Sequence, residues 1–192
     1  MKKNIMIVAA LFVAINMFAQ DVKNIQWGVK GGSNFAAERV GKKLTDSRIG
    51  FHAGGFIEKS ISNRIGIQFE LLYSMQGSTY QKGSTDYTDK MDYINVPLMA
   101  KIYVTKNRKL SIDAGPQIGY MISAKYIGGS EKKNAYKDDR LQKFDASLGL
   151  GMSYTIKGKF DLVLRGTGGF IKIDKKQDHR NIVGQFGIGY KF

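Results

Sequence analysis

The sequence predicts an all-β fold: an eight-stranded antiparallel up-and-down transmembrane β-barrel, preceded by a signal peptide. Three observations predict it. Apolar and polar side chains alternate with a period of two in successive stretches from residue 25 to the end. The connections between those stretches are long and short by turns, as in a barrel whose loops face outward and whose tight turns face the periplasm. Charged residues and glycines inside the stretches share the polar face, as the crowded interior of a narrow barrel requires. Composition agrees. The chain has 192 residues, 43% hydrophobic, with 23 Gly, 2 Pro, no Cys and a formal charge of +14. That is one domain's length, too apolar for disorder, and its slightly negative mean hydropathy excludes a bundle of transmembrane helices. Without cysteine there is no disulfide framework, thiolate metal site or cysteine nucleophile.

The elements follow in order. Lys2 and Lys3 precede an apolar run from Ile5 to Phe18, and Ala19 offers a small residue before Gln20. This reads as a signal peptide over 1–19, shorter than the roughly 20 residues a membrane-spanning helix needs. The barrel domain is then 20–192. The first strand, Ile25–Phe35, carries Trp27, Gly28 and Lys30; the second, Ile49–Glu58, carries Gly50, His52 and Gly54. The third alternates most cleanly, with Ile65, Ile67, Phe69, Leu71, Tyr73 and Met75 against Gly66, Gln68, Glu70, Leu72 and Ser74. Tyr93–Val104 holds Pro97 and Lys101; Leu110–Ser123 holds Asp113, Gly115, Pro116, Gly119 and Tyr120. Phe144–Tyr154 holds Asp145, Gly149 and Gly151, and Phe160–Phe170 holds Asp161 and Arg165. Ile182–Phe192 closes the series with Gly187, Tyr190 and Lys191. Long connections cover 36–48, 77–92, 124–143 and 171–180; short ones cover 59–64, 105–109 and 155–159. An even strand number leaves both termini in the periplasm.

Alternation alone also fits a soluble lipocalin-like barrel with its apolar face inside. The charges and glycines favour the opposite polarity. Lys30, Glu70, Lys101, Asp113, Asp145, Asp161, Arg165 and Lys191 lie on one parity and sum to zero. They are expected to form a paired structural network in the lumen, since an isolated buried charge is costly. The apolar parity carries Trp27, Tyr73, Tyr120, Tyr154, Phe160, Tyr190 and Phe192, as membrane-interface girdles do. Pro97 and Pro116 are each expected to mark a bulge.

The chain resembles the PorT-type outer-membrane β-barrel family of the Bacteroidetes, which are Gram-negative. The resemblance rests on Trp27-Gly28-Val29-Lys30-Gly31-Gly32-Ser33-Asn34, Tyr93-Ile94-Asn95-Val96-Pro97-Leu98, the Ala114-Gly115-Pro116 step, Leu148-Gly149-Leu150-Gly151 and the ending Gly189-Tyr190-Lys191-Phe192. It implies localisation in the outer membrane. It also implies that Tyr190 and Phe192 form the C-terminal insertion signal read by the barrel-assembly machinery.

Eight strands leave an interior that side chains fill, so a buried network is favoured over an ion path. Lipid A-modifying barrels need a His, a Ser and an acid in reach of one another. His52 faces the lumen, where packing or a bond to a neighbouring acid explains it, and His179 falls in the last long loop, a solvated position. No catalytic residue, cofactor or metal site is expected. The basic charge lies on long loops and short turns alike, which argues against nucleic acid and suits lipid and lipopolysaccharide phosphates. The third long loop carries the candidate surface-binding residues Lys125, Lys132, Lys133, Lys137 and Arg140, against an acidic partner. The expected function is non-catalytic: a monomeric outer-membrane protein with a structural or surface-binding role through its outer loops. The alternatives are an accessory of a secretion or assembly pathway and, more remotely, a lipid A-modifying enzyme.

Overall fold

A computed structural model describes residues 25–41, 43–82, 85–128, 131–134, 136, 141–174 and 179–192. The expected signal peptide over 1–19 lies outside them. The elements are β1 (Ile25–Val40), β2 (Lys43–Leu44), β3 (Asp46–Ser60), β4 (Ile65–Lys82), β5 (Thr85–Tyr103), β6 (Leu110–Gly128), β7 (Glu131–Asn134), β8 (Phe144–Ile156), β9 (Phe160–Gly169) and β10 (His179–Lys191). Each long strand pairs antiparallel with its sequence neighbour, and β10 pairs back onto β1 from Gly28↔Lys191 to Val40↔His179. Eight long strands therefore close a ring. The short strands β2 and β7 are added at one rim, on β1 and β6.

The strands overrun their expected ends mainly at that rim. β4 and β5 remain paired as far as Lys82↔Thr85, so most of the expected loop 77–92 is a continued hairpin. Part of the third long loop is likewise β7, folded back on β6. The opposite rim has tight turns: Lys157 and Gly158 take φ of 51° and 71°, and Lys159 N–H donates to the Ile156 carbonyl at 3.2 Å. Two consecutive left-handed residues match the right-handed twist of the strands they join.

Side-chain polarity follows the predicted parity. Trp27, Leu71, Leu150, Leu164 and Ile188 face outward and are each more than half exposed. Lys30, Glu70, Lys101, Asp113, Asp145, Asp161, Arg165 and Lys191 are all buried inside. Glycines let the wall curve this tightly. A Cβ on Gly54 would lie 2.0 Å from the Leu71 carbonyl oxygen, and one on Gly28 would lie 2.1 Å from that of Tyr190 and 2.6 Å from the Phe56 ring. Space for side chains, the expected reason, is thus joined by close approach of neighbouring backbone.

The prolines behave differently from expectation. Pairing lapses beside them, between Pro97↔Gln117 and Ala100↔Ala114, but the register is unchanged across the gap. Proline removes its own ladder donor without inserting a residue, so no bulge is needed. The register shifts lie at Ser47/His52 and Asp92/Tyr93. Above the second shift the interior turns apolar: Met91, Tyr93, Met121, Ala124, Leu141 and Ile173 form a buried cluster. Leu141 and Ile173 belong to the last two long connections. Gln142 N–H to Ile173 O and Met121 N–H to Lys143 O, both 2.7 Å, hold those connections over the barrel mouth.

Candidate functional site

The lumen is a stack of polar layers. At the tight-turn end, Glu58 sits between Lys101 and Lys191, each 3.3 Å away, with the Tyr103 hydroxyl also donating to it and Arg108 at 3.7 Å. Asp161 takes Lys191 at 3.1 Å and Lys101 at 3.9 Å, and accepts from the Thr155 hydroxyl at 2.7 Å. In the middle, Arg165 donates through both terminal nitrogens to the two Glu70 oxygens at 2.7 and 2.9 Å. Lys30 lies 3.2 Å from the same carboxylate and Gln68 donates at 2.6 Å. A forked guanidinium on a buried carboxylate is the strong form of ion pair.

The structure thus joins Lys30, Glu70 and Arg165, and separately Lys101, Asp161 and Lys191. Asp113 is held by the hydroxyls of Ser111 (2.7 Å) and Ser153. Asp145 stands apart, with Asn181 donating to it. Glu58 was missed because it ends its predicted strand, although it shares the inward parity of His52 and Gly54. His52 differs from expectation: its Nδ1–H donates to the Asn34 carboxamide oxygen at 2.8 Å rather than to an acid, and Gln185 donates to the same oxygen at 3.0 Å.

At the rim of the long hairpins, His179 is the first residue of β10 rather than a solvated loop residue. Its Nδ1–H donates to Glu38 at 3.2 Å, and the Ser78 hydroxyl donates to the other Glu38 oxygen at 2.9 Å. The bond to Glu38 holds the imidazole pKa above its usual value. Burial, with Glu38 alongside, pushes the Asp89 carboxyl up to about 7. These groups border a cavity of ≈ 530 Å³, with Lys43, Thr45 and Tyr80 completing the wall, a size within the roughly 300–1,000 Å³ of ligand clefts. A second cavity of ≈ 390 Å³ opens at the other mouth beside Ser60, Arg108 and Lys191.

Of the candidate surface-binding residues, Lys125 is exposed on β6, opposite Asn134 of β7. Lys132 and Lys133 lie on the β7 backbone, their side chains outside the described part, as are Lys137 and Arg140. The expected C-terminal signal sits at the tight-turn rim. Phe192 stacks on Trp27 with ring centroids 4.2 Å apart, and Tyr190 contacts Phe192 at 5.3 Å and Phe160 at 5.1 Å.

A closed antiparallel ring with charges inside and an apolar belt outside defines a transmembrane β-barrel. The chain belongs to the outer membrane protein beta-barrel domain family, whose model matches residues 18–175. It is an integral protein of the outer membrane. Among solved structures it is similar to Ail, the attachment invasion locus protein of Yersinia pestis, at 15% identity over 88% of this chain and 99% of that one, with a TM-score of 0.56. It is also similar to Neisserial surface protein A, at 17% identity over 86% and 97%, with a TM-score of 0.57. At these identities the likeness is one of fold. No curated protein matches the chain.

Proposed function

We propose that this protein is a non-catalytic barrel that anchors its outer hairpins at the cell surface, where they bind an acidic partner. The hairpins carry the reading: β4 and β5 run on, paired, to Lys82↔Thr85, and β6 and β7 form a second rim hairpin bearing Lys125, Lys132 and Lys133. Paired strands hold loop residues in place far better than free coil does. The structure of Ail in complex with the heparin analogue sucrose octasulfate, 16% identical with a TM-score of 0.54, provides a sulfated polyanion as the kind of ligand to test. Outer-membrane vesicles carrying the protein should retain heparin, with retention falling as salt rises. Replacing Lys125, Lys132, Lys133, Lys137 and Arg140 by Gln should abolish it; undiminished retention would overturn the reading.

Several features go with this proposal. The signal peptide over 1–19 is removed, both termini are periplasmic, the chain is a monomer, and the finer affiliation is with the PorT-type barrels. Lipid and lipopolysaccharide phosphates meet the basic rims, and the barrel-assembly machinery reads Tyr190 and Phe192. Catalysis is disfavoured by the order of groups at the rim: Ser78 and His179 both donate to Glu38, so the imidazole does not stand between a nucleophile and an acid. A role as a secretion or assembly accessory has one observation in its favour. The turn segments 59–64, 105–109 and 155–159 hold Lys59, Arg64, Lys106, Arg108, Lys109, Lys157 and Lys159 and no acid. Deleting the outer part of the β6–β7 hairpin would abolish a surface-binding phenotype and spare an accessory one.

A further inference from the structure

The cavity of ≈ 390 Å³ at the tight-turn mouth is enclosed by the ring of strands rather than set in its lipid-facing wall. Its sides come from around that ring: Gln26 of β1, Ser60 of β3, Tyr103 of β5, Thr155 of β8 and Lys191 of β10. Asn107, Arg108 and Lys109, in the turn between β5 and β6, join them. Three of the lining residues are basic and, among the described residues, none is acidic. The acids of this end stand behind the wall. Glu58 accepts from the Tyr103 hydroxyl and takes Lys101 and Lys191, each at 3.3 Å. Asp161 accepts from the Thr155 hydroxyl at 2.7 Å and takes Lys191 at 3.1 Å. Those two carboxylates balance Lys101 and Lys191, and deeper in the lumen Glu70 and Asp113 balance Lys30 and Arg165. Arg108 and Lys109 are left over in that account.

Arg108 is fixed in place. Its Nη1 donates to the Ser62 carbonyl at 3.2 Å and its Nη2 to the Ser60 hydroxyl oxygen at 2.7 Å, while its guanidinium lies 4.1 Å from the Tyr103 ring centroid. Glu58, at 3.7 Å, is beyond hydrogen-bond distance. A guanidinium has more N–H groups than those two bonds use, so Arg108 keeps donors for a ligand. Ser60 accepts from Arg108 and retains its own hydroxyl hydrogen. Asn107 Oδ1 accepts from the Lys109 N–H at 3.2 Å, which leaves the Asn107 amide nitrogen to donate. The wall therefore offers donors and positive charge, the complement of an anion. Two surplus positive charges match a phosphomonoester, which carries about −1.5 to −2 at pH 7, better than a carboxylate. Arginine and lysine both suit phosphate oxygens. The volume exceeds what a phosphate group fills and leaves room for the organic group it esterifies. A lipid phosphodiester carries a single charge and would have to leave the belt to enter the ring.

We infer that the tight-turn mouth binds the phosphate group of a soluble phosphomonoester, with Arg108 and Lys109 supplying the counter-charge and Ser60 and Asn107 donating to its oxygens. The test is isothermal titration of the whole barrel refolded into dodecyl maltoside micelles, which contain no phosphate and leave both mouths open. Glycerol 3-phosphate is titrated at constant ionic strength. Binding should saturate at one per chain, and acetate at the same ionic strength should not displace it. Arg108→Gln and Lys109→Gln should each keep the heat-dependent gel mobility and weaken binding about tenfold, the loss of a charge-assisted hydrogen bond. Lys109 is exposed and outside the ion-paired layers, so Lys109→Gln decides the matter if Arg108→Gln does not fold. No saturable binding to the unaltered chain would overturn the inference, as would undiminished binding to Lys109→Gln. Displacement by short-chain phosphatidylglycerol as readily as by inorganic phosphate would assign the cavity to a lipid headgroup and overturn it too.

Discussion

Glu70 illustrates how the lumen is held together at the level of single residues. It neutralises both Arg165 and Lys30 from a fully buried position, so Glu70→Ala leaves two cations without a counter-charge. The expected cost is about 3–5 kcal/mol, the penalty for breaking a buried ion pair from one side, read as a lower urea midpoint in vesicles. Arg165→Ala, which leaves Lys30 on Glu70, should cost less. The outer rim responds to pH through His179 and Asp89, which face each other with Glu38 and, beyond it, Asp174. His179 is raised above 6.5 in the fold, so its contribution is fully present below that pH and lost as pH climbs through the raised value. Asp89 rises from 3.8 to about 7, so the folded rim keeps a proton the unfolded chain has released, and stability falls across that interval as well. Both signs agree. Hydrogen exchange at the outer ends of β1 and β10, corrected for intrinsic rates, should quicken from about pH 5 to about pH 8, and Glu38→Gln should flatten the change. Parity alone made the lumen charges legible in the sequence. It could not reveal Glu38 as a shared partner, because residues 36–48 lack alternation and β1 pairs there with a strand more than a hundred residues away.

At the level of elements, the inner ends of the strands were readable and the outer ends were not, for one physical reason. Within the membrane each strand must show hydrocarbon on one face and polar groups on the other, so the pattern is enforced. Beyond the apolar belt the outward face meets water instead of lipid, and pairing such as Ser78↔Asp89 and Tyr80↔Tyr87 continues without a hydrophobic period to announce it. The prolines misled in the opposite direction, since loss of a ladder donor can be absorbed without a shift in register. The closing seam was legible through its aromatics. Phe192 N–H donates to the Trp27 carbonyl at 3.0 Å while their rings stack, so the last residue fastens β10 to β1. Phe192→Ala should lower the fraction of protein recovered from the outer membrane in heat-modifiable form. If Phe192 matters only through the stack, Trp27→Ala should lower that fraction equally; a larger loss with Phe192→Ala marks the terminal residue as a signal read during assembly.

The whole molecule is a core turned inside out, and its polarity dictates where substitutions hurt. In a soluble barrel a charge on the outer face is harmless and one inside is ruinous. Here the outer face meets lipid, which offers no hydrogen bonds, and the inside already binds most of its charges in ion pairs. Leu150 separates these cases well, because it lies mid-strand on β8, is 63% exposed, and flanks Gly149 and Gly151 on the inward parity. Leu150→Lys should destabilise the barrel in vesicles by about 2–4 kcal/mol, the depth-dependent cost of a lysine near the bilayer midplane. The same substitution in an aqueous barrel would change stability by no more than a few tenths of a kcal/mol, the range of ordinary surface substitutions. Conductance supplies the complementary measurement. Glu70, Lys30 and Arg165 bridge the lumen between β4, β1 and β9, so planar bilayers containing the protein should show no steady channel. Arg165→Ala should leave that baseline unchanged, because Lys30 and Gln68 still occupy the Glu70 carboxylate. A conductance step in the Arg165→Ala protein would instead make this layer a gate.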